Sequence, residues 1–224
     1  MLKENLERVL AQISCGNNLG EEITLVGATK TMPVETINQA ISYGLKVVAE
    51  NKVQEFNQKT EFINGAEQHF IGHLQTNKVK YLVAKVSLIH SVDSLHLATE
   101  IDKCANKKGV LQEILVEINV GGELSKSGFD FLNAKDGVLE IVNSCKNVKV
   151  VGLMAMLPRS DDQELLGSLT RKMRCLYDEL KEKGLPFKHL SVGMSNDYKI
   201  AILNGSNMIR LGRTIFGERN YGVK

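Results

Sequence analysis

Short apolar runs rich in Val, Ile and Leu recur along the chain, and each is followed by a stretch whose apolar residues return at helical spacing. That alternation is the mark of a parallel sheet whose strands are joined by helical crossovers. The strand-like runs fall at residues 23–29, 46–49, 69–72, 88–91, 114–119, 148–155, 189–192 and 208–211, eight in all. Helical patterns occupy 34–43, 53–63, 76–83, 94–107, 131–144, 162–183 and 196–203, several opening on Thr, Ser, Asp or Asn caps. Gly44, Gly109 and Gly184 stand where helices should stop.

Eight such units without a Pro/Gly/Ser-rich linker fit a closed barrel better than an open sheet. The expected fold is α/β: a single (β/α)8 TIM barrel over residues 1–224 with an extra N-terminal helix, compact beside the usual ~250 residues. A hydrophobic fraction of 43% with 24% charged residues is ample for its core. Net charge is only +2, from 28 basic and 26 acidic residues with no like-charged block, so neither nucleic acid nor an anionic membrane is expected as partner. The first ten residues alternate apolar and charged side chains as a helix does, and no apolar stretch of about 20 residues follows, so a cytoplasmic protein is expected. The four cysteines, Cys15, Cys104, Cys145 and Cys175, lie far apart without a C-x-x-C pair and read as reduced, buried thiols.

In such a barrel functional groups come from the carboxyl ends of the strands and the loops after them. That rule selects Lys30, Asn51, His73, Ser91, Asn119, Met154, Ser195, Arg210 and Gly212 around one mouth. Lys30 closes the first run; an amine there is poorly solvated and suited to condense with an aldehyde as a Schiff base. The turn Val-Gly-Met-Ser-Asn-Asp (192–197) offers Gly193 for tight geometry and the Ser195 hydroxyl near a helix start, and Gly212 lets backbone amides approach an anion after the last run. The loops after the seventh and eighth strands of these barrels form a recurrent phosphate site. A phosphate-bearing aldehyde held by a lysine describes pyridoxal 5'-phosphate. Arg210, two positions before Gly212 and on the same face of its strand, could meet the pyridine nitrogen. Arg210 also reads as a structural ion-pair residue and the glycines as simple turns. His69 and His73 share a spacing that brings a metal to mind, but no third ligand is in evidence.

Seven ordered runs carry a family resemblance: Gly-Ala-Thr-Lys-Thr-Met-Pro (27–33), Ala-Glu-Asn-Lys-Val-Gln-Glu (49–55), His-Phe-Ile-Gly-His-Leu-Gln-Thr-Asn-Lys (69–78), Gly-Gly-Glu-Leu-Ser-Lys-Ser-Gly (121–128), Gly-Leu-Met-Ala-Met (152–156), Leu-Ser-Val-Gly-Met-Ser-Asn-Asp (190–197) and Arg-Leu-Gly-Arg-Thr-Ile-Phe-Gly (210–217). In this order they resemble the pyridoxal phosphate homeostasis protein family. The resemblance implies a barrel like that of alanine racemase without its second β domain, with the cofactor on Lys30, Asn51 beside it, Arg210 at the pyridine nitrogen, and Ser195, Gly212 and Arg213 around the phosphate. Lys126, in the family's Ser-Lys-x-Gly motif, is implied as a further lysine handling released cofactor. Two departures stand out: the family usually shows Phe-Gly-Glu-Asn-Tyr where this chain has Val-Ala-Glu-Asn-Lys (48–52), and often a small hydroxyl residue in place of Arg213.

Electron-sink chemistry favours a protonated pyridine nitrogen, which a permanent guanidinium charge opposes; since Arg-paired racemases function, this argues against transaminase-like chemistry and does not exclude racemisation. Racemisation also needs two bases, and in alanine racemase one comes from the partner's second domain, for which this chain, ending at Lys224, leaves no room. The expected function is therefore binding, protection and release of pyridoxal 5'-phosphate to apoenzymes by a monomer, without substrate turnover. Two rivals stay open: an amino-acid racemase with Lys126 or Tyr198 as second base, and a class I aldolase using Lys30 on a sugar phosphate.

Overall fold

The computed structural model describes residues 1–123 and 125–217; Leu124 and the last residues of the expected domain, 218–224, lie outside the described residues. The order is α1 (Leu2–Ile13), β1 (Thr24–Ala28), α2 (Val34–Ser42), β2 (Val47–Glu50), α3 (Val53–Lys59), β3 (Glu67–Phe70), β4 (Leu88–Val92), α4 (Leu95–Lys108), β5 (Gln112–Asn119), β6 (Phe129–Asp130), α5 (Ala134–Ser144), β7 (Val148–Ala155), α6 (Gln163–Glu182), β8 (His189–Val192), α7 (Tyr198–Leu203), β9 (Met208–Leu211) and α8 (Arg213–Phe216). Eight strands close a parallel barrel in the order β1-β2-β3-β4-β5-β7-β8-β9, with β9 returning to β1 through Thr24↔Met208 and Val26↔Arg210. The two-residue β6 is a spur on the end of β5. Among the described residues no helix is long and apolar enough to cross a membrane.

Two layers of core follow from strands that are buried on both faces. Val26, Val47, Ala49, Leu88, Leu115, Val151, Met154 and Met208 fill the barrel interior. Outside it, the apolar stripes of the helices press on the opposite strand faces. On α1 these are Leu6, Val9 and Ile13, spaced three and four apart, which join Ile37, Leu45, Ile209 and Ile215. Helix starts obey their caps: the Ser94 hydroxyl accepts from Leu97 N and the Asp162 carboxylate from Leu165 N.

The differences from the sequence reading are local. The helix expected at 76–83 is a 3-10 helix, Thr76–Tyr81, with Val79 its buried residue and Leu82 its C-cap. The helix expected from residue 131 begins as a 3-10 turn, Phe131–Asn133, because the Asp130 carboxylate captures Leu132 N. The helix expected from 196 starts only at Tyr198, since the Asp197 carboxylate accepts from Met194 N and holds the preceding residues as a turn. Neither β6 nor α8 was expected. The four cysteines are free, but Cys15 and Cys175 are exposed, against the expectation that all are buried.

Candidate functional site

Lys30 lies just beyond β1, half-buried, on a turn whose next residue is strained: Thr31 has φ 66°, a left-handed conformation that a β-branched side chain rarely adopts. A polar clamp, buried at its Glu50 end, holds this turn. Thr31 N donates to Glu55 Oε2 at 2.8 Å, and Lys59 Nζ joins Glu55 Oε2 at 3.1 Å, Glu50 Oε1 at 2.7 Å and Thr29 O at 3.3 Å. The Thr29 hydroxyl also donates to Glu50 Oε1, at 2.8 Å. The residues on both sides of Lys30 are thus pinned to β2 and α3. Burial pushes the Glu50 carboxyl up from its ordinary range, against the pull of Lys59 and the Thr29 hydroxyl. Burial also works on Glu55, but the Thr31 N–H and Lys59 outweigh it and hold that carboxyl below its ordinary value.

Asn51 follows β2 directly. Its Oδ1 is buried and meets no hydrogen-bond donor among the described residues, which leaves an acceptor for a bound group to satisfy. Its backbone is fixed by a close approach: a Cβ on Gly72 would sit 1.9 Å from Asn51 O, so only glycine fits there. Lys52, beside it, is exposed and pairs loosely with Glu55 at 3.9 Å.

On the other side of the mouth two loops meet. Gly193 has φ 110°, and a Cβ there would come within 2.9 Å of Tyr198 Cα, so the turn that carries half-buried Ser195 depends on glycine. Gly212 opens α8, its carbonyl accepting from Ile215 N and Phe216 N. Arg213 is exposed and donates from Nη2 to Asn196 Oδ1 at 3.0 Å, tying the β9 loop to the β8 loop. Burial pushes the Asp197 carboxyl up, while the Met194 N–H and then Arg210 pull it down.

Arg210 is 6% exposed. Its Nη1 donates to Ser191 O at 2.7 Å and Ser191 Oγ at 2.6 Å, and its Nη2 to Ala155 O at 3.0 Å. Burial lowers its pKa to about 10, with Glu117 and Asp197 acting in the opposite sense, so the guanidinium stays charged at neutral pH. Glu117, on β5, escaped the sequence reading. Burial first and Asp93 next raise its carboxyl to about 7, with Arg210 opposing them. The available signal was a lone carboxylate inside the apolar run 114–118.

Other residues selected by the barrel rule have structural work. Ser91 Oγ donates to Gly72 O at 2.5 Å, and Asn119 Nδ2 to Glu123 O at 2.8 Å. Met154 packs in the interior, and exposed His73 faces Asp93 at 3.5 Å. His69 is buried against His90 while His73 is exposed, and no set of three or more metal-binding side chains exists among the described residues.

Residues 18–220 match the alanine racemase N-terminal domain family. The pyridoxal phosphate homeostasis protein of Aquifex aeolicus is 46% identical over 97% of this chain and 98% of its own length. That of Escherichia coli strain K12 is 34% identical over 100% of this chain and 99% of its own. PipY of Synechococcus elongatus, solved with PLP bound, superposes with a TM-score of 0.84 at 26% identity, covering 97% of this chain and 100% of PipY. An alanine racemase of Clostridium difficile shares the fold at 19% identity, with a TM-score of 0.76, over 97% of this chain and 57% of the racemase.

Proposed function

The chain belongs to the pyridoxal phosphate homeostasis protein family, and from that premise we propose that it binds pyridoxal 5'-phosphate reversibly as a Schiff base on Lys30, protects it and releases it to apoenzymes, working as a monomer without substrate turnover. PipY with PLP bound supports the choice of ligand. When bound, pyridoxal phosphate supplies an aldehyde that condenses with amines and a pyridine ring that can act as an electron sink.

The residues present fit that group. Lys30 supplies the amine, on a turn braced by Glu50, Glu55 and Lys59. The buried, unsatisfied Asn51 Oδ1 is an acceptor for a donor on the ligand. Ser195, the backbone around Gly212 and the cationic Arg213 are assigned to the phosphate, and Arg210 to the pyridine nitrogen. The observation that carries the binding role is the buried, unsatisfied Asn51 Oδ1 beside the Lys30 turn, with Arg210, a buried guanidinium held by Ser191 and Ala155, keeping its charge at neutral pH. A fixed cation there opposes protonation of the ring nitrogen, which argues against transaminase-like chemistry and leaves racemisation to be decided by the second base.

The second base of a racemase finds no support in the side chains considered for it. Tyr198 OH donates to Gln12 Oε1 at 2.6 Å on α1. Lys126 Nζ pairs with Glu123 and donates to Leu157 O at 3.1 Å, which suits a reserve lysine beside the mouth.

The test is an absorption spectrum of the protein loaded with pyridoxal phosphate, before and after borohydride, beside Lys30→Ala. A near-visible band that borohydride abolishes and the variant lacks supports the reading; failure to take up the cofactor overturns it. Exchange of amino-acid α-protons with deuterated solvent, catalysed by the loaded protein, would restore the racemase.

A further inference from the structure

The barrel interior contains a polar line that the cofactor site does not account for. Glu67 Oε2 lies 3.4 Å from His69 Nε2, His69 Nδ1 lies 3.0 Å from His90 Nε2, and His90 Nδ1 lies 3.2 Å from Ser191 Oγ. Ser191 Oγ in turn receives Arg210 Nη1 at 2.6 Å. His69, His90, Ser191 and Arg210 are buried, at 3%, 0%, 0% and 6% exposure. The line crosses the barrel from β3 and β4 to β8 and β9. It surfaces at the amino ends of the strands, where Glu67 and His69 border a cavity of about 810 Å³ also lined by Lys46, Glu113, Lys188 and His189. The Lys30 mouth is at the opposite end.

We propose that Ser191, His90, His69 and Glu67 are positioning residues forming a one-directional hydrogen-bond relay, which orients Arg210 and transmits the charge at the far end of the barrel to the pyridine end of the cofactor site. The inference rests on the pyridoxal phosphate reading for its destination, but the relay itself is a property of the chain.

Direction follows from the donor inventory. A guanidinium only donates, so Ser191 Oγ accepts from Arg210 and has its own proton to give. That proton goes to His90 Nδ1, which makes His90 a neutral imidazole protonated at Nε2. His90 Nε2 then donates to His69 Nδ1, and His69, protonated at Nε2, donates to the Glu67 carboxylate. From Ser191 onward each donor meets one acceptor, so the line runs from a permanent cation to an anion. A neutral His90 agrees with its surroundings: burial, then His69 and Arg210, hold its pKa well below the ordinary histidine value.

The line has one alternative state. A second proton on His69 would turn Nδ1 into a donor, force His90 into the other tautomer and aim two N–H groups at Ser191 Oγ. The groups that set this choice are Glu67 and His90 in contact with His69, and His189, Lys188, Lys46 and Glu113 around the cavity. His189 adds no charge near neutrality, since burial, followed by His69 and Lys188, lowers it to about 4.

Two measurements test the relay. In the cofactor-free protein, nitrogen-15 spectra of the histidines should show His69 and His90 as neutral Nε2–H tautomers; an Nδ1–H tautomer at either ring overturns the relay whether or not any cofactor binds. In the loaded protein, Glu67→Gln should shift the pH midpoint of the near-visible band down by about 0.3 unit, because a weaker terminal acceptor leaves more of the Arg210 charge facing the ring. Glu113→Gln makes the same charge change at the same cavity, off the relay, and should leave the midpoint in place. Equal shifts in both variants, or none in Glu67→Gln, refute transmission. Loss of the band in Lys30→Ala alone tests the cofactor reading and leaves the tautomers untouched.

Discussion

Replacing Lys59 by Met would leave the Glu50 carboxylate buried without its counter-ion. The two side chains are 12% and 3% exposed and meet at 2.7 Å, so the pair is well removed from solvent. Breaking such a pair from one side costs ~3–5 kcal/mol; Glu50 retains the Thr29 hydroxyl at 2.8 Å, which places the expected loss at the lower end, about 3 kcal/mol at pH 7. That corresponds to a fall in Tm of about 6–12 °C. The sign of the pH dependence follows from Glu50, whose folded pKa is already raised by burial and loses its main opposing influence in the variant. A carboxyl with a raised folded pKa contributes stability below its unfolded value and loses it as pH rises through the folded one. The deficit should therefore shrink on acidification, by up to ~1.4 kcal/mol per pH unit while only the folded state holds the proton. Urea unfolding at pH 7 and pH 5 measures both numbers, and Glu50→Gln combined with Lys59→Met should restore part of the loss at pH 7. A deficit under ~1 kcal/mol at pH 7, or one that grows at pH 5, would refute the clamp.

Gly193→Ala should cost about 1–3 kcal/mol, because the turn needs φ 110° and the added methyl would meet Tyr198 Cα; an unchanged denaturation midpoint would contradict this. Glu21 is bound by Arg174 through Oε1 at 3.0 Å and Oε2 at 2.5 Å, and the Arg174 hydrogen bond, against burial and with Asn17, lowers its carboxyl. Its stabilisation is present above the ordinary value of 4.5 and fades as pH falls through the lowered one. Glu21→Gln should accordingly destabilise at pH 7 by about 1–2 kcal/mol and be nearly neutral near pH 3, as read from urea midpoints; a loss that persists undiminished in acid would rule this out.

The barrel was legible because strands such as β5 and β7 are buried on both faces and therefore carry apolar runs, Ile114–Val116 and Val150–Ala155, whereas α8, four residues long, carries no helical period to detect. Lys30, Asn51 and Arg210 could be picked out from the rule that strand ends converge. Their supporting groups could not. Lys59 reaches Glu50 from the far end of α3, and nothing in the spacing marks the pair. The spacing of His69 and His73 suggests a metal pair, yet the partner of His69 is His90 on the neighbouring strand, a relation set by strand register and not by sequence distance.

The pairing of β1 with β9 joins the first and last strands of the ring. During synthesis β1 must wait for a partner roughly 180 residues downstream, which at ~5–20 residues per second is about ten to forty seconds. Over that interval the growing sheet has two open edges, one of them β1 itself, and contacts of such long range form slowly. Closure late in synthesis makes the nascent chain, not the finished barrel, the form most exposed to mispairing, so chaperone dependence should fall in a permuted chain that makes β9 and β1 consecutively.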